Sequence, residues 1–163
     1  MAMGDDILAV RDAVRDLLVA NLEPAEPDRV KAVYAPKLDA VGWDGWRYWV
    51  YPAAYRDSER LSRGAVKTEL RILVEPECRY DEAGSAAEDG TVPPEWVDDR
   101  IREIGNGVFD LLNDTGVRKA TLLGGRFRCE SCEMQAVYDP VRLHQDKVFA
   151  CLIEVTYSEP VGG

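Results

Sequence analysis

The chain has one histidine among its 163 residues, and this scarcity excludes most familiar catalytic arrangements. A Ser-His-Asp or Cys-His site would have to use His144, which lies in a polar segment between Pro140 and Lys147. No nucleophile-elbow pattern occurs anywhere in the chain. The sequence therefore favours a surface loop position for His144, no catalytic residue, and a protein that is not an enzyme.

Long apolar runs are also missing. No stretch approaches the roughly 20 apolar residues of a membrane-spanning helix, and Asp5, Asp6 and Arg11 interrupt the N-terminal segment where a signal peptide needs an apolar core. We therefore expect a protein that is made and kept in a cytosol, without a membrane partner. In that compartment its four cysteines are expected to be reduced thiols.

Basic residues are outnumbered, since 20 Lys and Arg stand against 30 Asp and Glu, and the formal net charge is −10. Such a chain lacks the clustered positive charge of a nucleic-acid-binding surface, so we expect no sequence-specific nucleic-acid binding. Residues 75–103 hold ten acids and three bases, whereas residues 118–128 hold four bases and no acid. Opposite-sign segments suit head-to-tail subunit contacts; the alternative is two solvated surface segments.

Two segments have the apolar spacing of amphipathic helices. They cover residues 5–21 and 95–113, and each has an apolar stripe at helical spacing. Gly105 and Gly107 each weaken the second helix by about 1 kcal/mol relative to alanine, and we expect close packing against a sheet as the reason for them. Residues 80–94 are rich in Gly, Pro and acids, which predicts a mobile acidic loop.

Alternating apolar and polar residues predict strands, of which the last is the clearest. Over residues 147–157, one face of the predicted strand carries Phe149, Cys151, Ile153, Val155 and Tyr157. Residues 56–64 are polar and end in glycine, which predicts a loop or a strand connection. Further strands are predicted over residues 30–34, 46–53, 65–75 and 118–123, and within residues 126–137.

The order of these elements is helix, strands, long loop, helix, strands. This order predicts an α+β fold, with a mostly antiparallel sheet and two main helices packed on one face. Hydrophobic residues make up 46% of the chain, which is enough for a real core. With no internal repeat and no domain boundary, residues 1–163 are expected to form a single domain.

Cys129-Glu130-Ser131-Cys132 is the one motif that could carry metal or redox chemistry. Two thiolates at this spacing can bind zinc or cycle as a redox pair, but structural zinc needs four ligands. The remaining candidates are Cys78, Cys151 and His144, and Cys151 lies on the apolar face of a predicted strand. No helical pattern follows Cys132, as a thioredoxin-like site would require. We therefore expect ordinary thiols, no metal and no cofactor.

An aromatic cluster marks the second predicted strand. Alternation sends Trp46 and Tyr48 to one face and Trp49 and Tyr51 to the other. A second aromatic face exposed to solvent would be costly in a monomer, so Trp49 and Tyr51 are expected to contact another protein. Sugar binding is the alternative for the same aromatic residues.

Two segments of the chain resemble the tail-terminator or tail-completion proteins of long-tailed bacteriophages. In one, Tyr51-Pro52 ends a hydrophobic strand, and an Arg/Ser-rich stretch from Glu59 to Gly64 leads to the paired strand. In the other, Tyr138-Asp139-Pro140 leads to a closing strand that ends at Tyr157. The order of elements matches over nearly the whole chain.

This resemblance implies a virion protein of the tail and head–tail junction, assembled in the host cytoplasm as a homo-oligomer, commonly a hexameric ring. The ring would cap the tail tube protein and offer a docking surface to the head-completion or connector protein. An acidic lumen would let DNA slide through. With the aromatic and basic segments included, the candidate interface residues are Trp49, Tyr51, Arg56, Glu59, Arg60, Arg63, Asp81, Glu82, Arg126 and Arg128.

Three alternatives remain open at this stage. Another ring-forming tail or head-completion protein, such as a tube subunit, has the same expected architecture. A small acidic bacterial protein-binding module would act through its acidic face and should stay monomeric or dimeric. An enzyme would need His144, or the Cys129 and Cys132 pair, buried in one pocket with a perturbed pKa.

Overall fold

The computed structural model describes residues 3–21, 30–32, 45–61, 65–80, 92–113 and 125–159. A π-helical turn, Gly105–Phe109, joins two of its four α-helices without a break. The elements are α1 (Met3–Asn21), β1 (Val30–Ala32), β2 (Trp46–Leu61), β3 (Ala65–Arg79), α2 (Pro94–Ile104), α3 (Asp110–Asn113), β4 (Arg128–Ala136), α4 (Pro140–Asp146), β5 (Val148–Ala150) and β6 (Leu152–Glu159).

The strands form one sheet in the order β1-β2-β3-β6-β4, and β5 pairs with β3 beside β6. β1 is parallel to β2, and every other pairing is antiparallel. The predicted α+β class with a mostly antiparallel sheet is therefore confirmed. No helix among the described residues is long and apolar enough to cross a membrane.

The core lies between the sheet and the helices. Even-numbered residues of β3 (Leu70, Ile72 and Val74) are fully buried and join the apolar stripes of α1 and of the α2–α3 segment in one cluster. This cluster agrees with the predicted packing of both main helices on one face of the sheet, which stays a prediction. The α1 stripe consists of Ile7, Val10, Val14 and Leu18, and the α2–α3 stripe contributes Ile104, Val108 and Leu112.

The second helix has its predicted extent, but its glycines do not have the predicted role. A Cβ atom added to Gly105 or Gly107 would meet nothing within 4 Å. The expectation that close packing against the sheet requires them is therefore wrong. Both glycines lie in the π-helical turn, where the helical hydrogen-bond pattern is already irregular.

β2 and β3 form a hairpin that is much longer than predicted. Residues 56–61, which are polar and were expected to form a loop, continue β2 and pair with β3 as far as Leu61 opposite Ala65. Two irregularities, between Pro52 and Ala54 and between Asp57 and Arg60, adjust the pairing along the way. The prediction of a loop or strand connection was wrong for residues 56–61, because ladder hydrogen bonds join backbone groups and do not require apolar side chains. Residues 62–64 lie outside the described residues.

The last strand has its predicted position, with one interruption. Pro76 in β3 lies opposite Cys151 and has no N–H to donate, so the ladder breaks there and separates β5 from β6. The Cys151 N–H still donates to the Pro76 carbonyl at 3.0 Å. The pairs Glu77–Ala150 and Val74–Ile153 follow one common register, so the two strands are one extended segment.

The other predicted strands fall partly within the described residues. β1 covers Val30–Ala32 of the strand predicted over residues 30–34, and β4 lies within residues 126–137 as predicted. The strand predicted over residues 118–123, and residues 81–91 of the predicted mobile loop, lie outside the described residues. The single-domain organisation stays a prediction.

Candidate functional site

The short helix α4 lies next to a buried carboxylate of the sheet. Asp139 caps it, because its Oδ1 accepts hydrogen bonds from the backbone N–H groups of Val141 at 3.0 Å and Arg142 at 3.3 Å. Pro140 occupies its first turn, and Lys147 ends it in the left-handed conformation with φ of 55°. The prediction of a polar loop around His144 was wrong, although His144 is exposed as expected.

Four side chains of the sheet meet below α4, on the face opposite to the core cluster. Trp49 and Tyr51 lie on β2, and Glu75 and Glu77 alternate with buried core-facing residues on β3. Trp49 is paired with Glu75 across the two strands, which places both on the same face. Arg142 of α4 extends towards the two carboxyl groups.

Glu77 is fully buried, and two donors satisfy its carboxylate. The indole Nε1–H of Trp49 donates to Oε2 at 2.8 Å, and the guanidinium of Arg142 donates to Oε1. The same guanidinium nitrogen of Arg142 lies 3.9 Å from Oε2 of Glu75, too far for a hydrogen bond. Within the described residues, this Glu75 oxygen is buried without a hydrogen-bond partner. We call Glu75, Glu77 and Arg142 the buried ion cluster.

The charges of the buried ion cluster do not balance without a proton. Burial, and then the charge of Glu77 and a hydrogen bond to it, raise the pKa of Glu75 to about 8, against the opposing effect of Arg142. Asp139 raises this pKa further. The cluster therefore holds two carboxyl groups, one guanidinium and one shared proton at neutral pH.

Two neighbouring groups stay protonated beside this cluster. Burial, followed by the charges of Glu75 and Glu77, raises the pKa of Tyr51 to about 12. Burial, followed by the charge of Glu75, raises the pKa of the Cys151 thiol to about 12. Tyr51 is half-buried and keeps a phenol O–H that can donate a hydrogen bond across the physiological pH range.

The arrangement positions α4 on the sheet. A carboxyl group that keeps its proton at neutral pH can act as an acid. Glu77 and Arg142 are hydrogen-bonded to each other. The described residues contain no group of three or more His, Cys, Asp or Glu side chains that could hold a metal ion. The chemistry that follows from this geometry is a change of charge under α4.

Four of the ten predicted interface residues have described side chains: Trp49 and Tyr51 on β2, Arg126 just before β4 and Arg128 at its start. Trp49 is only 4% exposed, so the expectation that it lies on a solvent-facing surface is wrong: the carboxylate of Glu77 and the region of α4 cover that face. Tyr51 is half-buried beside the same cluster. Arg56, Glu59 and Arg60 lie in β2, for which only the backbone is described, and Arg63, Asp81 and Glu82 lie outside the described residues.

The two predicted basic interface residues next to β4 differ in their surroundings. Arg126 donates to both carboxylate oxygens of the buried Asp6, at 2.8 and 3.0 Å, and its Nε lies 3.2 Å from Glu159. These contacts join the start of α1 to the end of β6, and the hydrogen bonds that Arg126 donates to Glu159 and Asp6 raise the pKa of Arg126. Arg128 is exposed and lies 3.6 Å from Glu130.

The Cys129 and Cys132 pair lies on one face of β4. In a regular strand, residues three apart face opposite sides, but the pairing shifts between Cys129, opposite Tyr157, and Ser131, opposite Thr156. This extra residue brings Cys132 opposite Val155, on the core side. Cys129 is buried and Cys132 partly buried, and all four cysteines of the chain are thiols rather than disulfides. Burial, followed by these two thiols, raises the pKa of Tyr157.

The buried ion cluster was not identified from the sequence. Two local signals were present: carboxylates at Glu75 and Glu77 alternate with Val74 and Pro76 in the strand, and Asp139-Pro140 is a typical helix start. The contact between Glu77 and Arg142 spans 65 positions and depends on the sheet register.

No protein-family model matches this chain, and no curated protein matches its sequence.

Proposed function

We propose that this chain is a structural virion protein of a long-tailed bacteriophage, which assembles as a homo-oligomeric ring, caps the tail tube and joins it to the head connector. The proposal is supported by the resemblance of the segments around Tyr51-Pro52 and Tyr138-Asp139-Pro140, and by the α+β fold with its mostly antiparallel sheet. Its activity is binding and assembly, without chemical turnover.

The observation that carries this proposal is the long β2–β3 hairpin. Its strands have 16 and 15 residues, about 50 Å each at the usual rise per residue. The pairs Arg60–Val66 and Leu61–Ala65 lie beyond the last pairing of β3 with β6, at Thr68 opposite Glu159. Among the described residues, the hairpin therefore extends past β6 by residues 65–67 of β3, and we call this end of the hairpin, with its β2 partners, the arm.

The charged stretch that carries part of the resemblance runs along β2 into this arm. Arg56 pairs with Glu69, where β3 is still paired with β6, and Glu59 and Arg60 follow near the end of β2. An extended two-stranded arm can contact an adjacent subunit at a distance from its own core. In a ring, such a contact joins two different surfaces of identical subunits, which suits the uneven distribution of charge along the chain.

The first experiment measures the mass of the purified chain in solution by light scattering over a concentration range, with negative-stain images of the same samples. We expect a ring of about six times the 18.2 kDa subunit. Arg56→Glu combined with Arg60→Glu is expected to lower the assembled fraction. Arg102→Glu, which reverses one exposed charge on α2, is the control for each of the two single reversals.

Addition of purified tail tubes separates the related assembly roles. A terminator adds one ring at a tube end, whereas a tube subunit extends the tube. A chain that stays monomeric at every concentration and does not bind tail tubes would contradict the proposal. This result would favour the small acidic binding module.

A further inference from the structure

Helix α4 is attached to the sheet by an ion pair to a buried carboxylate and by backbone hydrogen bonds at its two ends. None of its seven residues is buried, and Val141 is 58% exposed, so apolar burial contributes little to its position. Its ends are joined to neighbouring backbone by two hydrogen bonds, from Asp139 N–H to the Ala150 carbonyl at 3.0 Å and from Tyr80 N–H to the Lys147 carbonyl at 2.8 Å. Between these ends, Arg142 reaches the fully buried Glu77.

The groups around Glu75 come from every neighbouring element. Glu77 lies on the same strand, Tyr51 and Arg47 on β2, Arg142 and Asp139 in and before α4, and Cys151 between β5 and β6. Farther along the same face, Arg71 is paired with Glu154 at 3.7 Å. Tyr51 and Cys151 keep their protons near neutral pH, whereas the raised pKa of Glu75 brings the charge change of its carboxyl group into this range.

We infer that the buried ion cluster is a proton-dependent attachment for α4, which holds the helix tightly on the sheet in mildly acidic solution and loosens it progressively as the pH rises. With one proton, Glu75 and Glu77 together carry a single negative charge against the guanidinium of Arg142. Without it, a second carboxylate stands in a buried site with no donor for its Oε2 among the described residues. This inference does not depend on the proposed ring.

The direction of the pH effect on the opening of α4 follows from proton linkage. Opening of α4 lets water reach Glu75, whose affinity for the proton then drops towards that of an ordinary glutamate. The open state therefore releases a proton, and opening becomes easier as the pH rises from about 5 to 8 and levels off above that. One proton allows a change of at most about tenfold per pH unit.

Amide hydrogen exchange measured by mass spectrometry tests this inference, with rates corrected for the intrinsic effect of pH. In the native chain, protection of residues 140–147 is expected to fall by about 30-fold between pH 6 and pH 8, below the roughly hundredfold limit for one proton. Protection there should stay lower than in β6 throughout, because α4 opens without the sheet. In Glu75→Gln, the protection of α4 is expected to be independent of pH.

Two further variants complete the design. Glu77→Gln also leaves one carboxyl group against one guanidinium, so it should abolish the pH dependence and serves if Glu75→Gln does not fold. His144→Gln removes the imidazole of α4, which takes no part in the buried ion cluster, and should preserve the fall. The inference is overturned by any of three results: constant protection in the native chain, a fall that persists in Glu75→Gln, or equal protection of α4 and β6 at every pH.

Discussion

Two tryptophans in β2 each donate a hydrogen bond to a glutamate, and one of these glutamates is buried while the other is exposed. Trp49 donates to Glu77, which is fully buried, and Trp46 donates to Glu103, whose side chain is 44% exposed; both distances are 2.8 Å. Water can replace the donor at Glu103 but cannot reach Glu77. The two bonds should therefore contribute unequally to stability, although their geometry is the same.

Replacement of each tryptophan by phenylalanine separates burial from hydrogen bonding. We expect Trp49→Phe to lower the free energy of unfolding by about 2 kcal/mol more than Trp46→Phe does, because it leaves a buried carboxylate oxygen without its donor. Urea unfolding followed by circular dichroism measures both. Equal losses in the two variants would mean that the Glu77 carboxylate finds another partner.

Strand alternation correctly predicted which face of β2 each aromatic side chain lies on, but it could not predict how exposed that face is. It placed Trp46 and Tyr48 opposite to Trp49 and Tyr51, and Val50 is indeed in the core cluster with the first pair packed near it. It could not show that the second face is covered, because the cover includes Arg142, which lies far away in sequence. The error about Trp49 therefore followed from the missed helix.

The α2–α3 segment contains two glycines that the fold does not require. Gly105 has the ordinary right-handed helical conformation, with φ of −62° and ψ of −42°, and there is open space where a methyl group would lie at both positions. We expect Gly105→Ala and Gly107→Ala each to raise the free energy of unfolding by about 0.5–1 kcal/mol, since alanine loses less backbone entropy on folding.

Denaturant unfolding of both variants checks this expectation, and Gly4→Ala is the control. Gly4 also has open space, but it lies in the first turn of α1, where the helix end frays and the gain should be smaller. Destabilisation by Gly105→Ala or Gly107→Ala would indicate that the π-helical turn itself needs glycine.

Prediction of the elements succeeded where side chains show a strong period. The stripes of α1 and of α2–α3 and the alternation before Tyr157 identified both long helices and the last strand. α4 has no buried residue and hence no apolar period, and only its cap, Asp139-Pro140, marks it. The end of β2 was missed for a similar reason, because its polar side chains do not alternate with apolar ones.

The free energy of unfolding of the whole molecule should depend on pH because of the proton that Glu75 holds beside Glu77. The pKa of Glu75 is raised from an ordinary value of 4.5 to about 8, so the folded chain holds a proton that the unfolded chain releases above about pH 5. Its contribution to stability is fully present in mild acid and is lost as the pH rises to 8. With a discount for partial solvent access, the loss is about 3 kcal/mol.

The comparison of the native chain with Glu75→Gln isolates this effect from the other carboxyl groups. Between pH 5 and pH 8, the difference in unfolding free energy should shift by about 3 kcal/mol in favour of the variant. Chemical denaturation at four or five pH values measures it. A difference that stays constant across this range would show that Glu75 is ionised in the folded chain.

The alternation along β3 also bears on how the chain avoids misfolding. Val74, Pro76 and Cys78 alternate with Glu75 and Glu77, so a slip of one residue between β3 and its neighbours would turn both carboxylates into the apolar core. The cost of burying two unpaired charges there far exceeds the small difference in backbone pairing between registers. These glutamates therefore disfavour incorrect strand registers during folding. They favour one register of the sheet over others that have similar backbone hydrogen bonding.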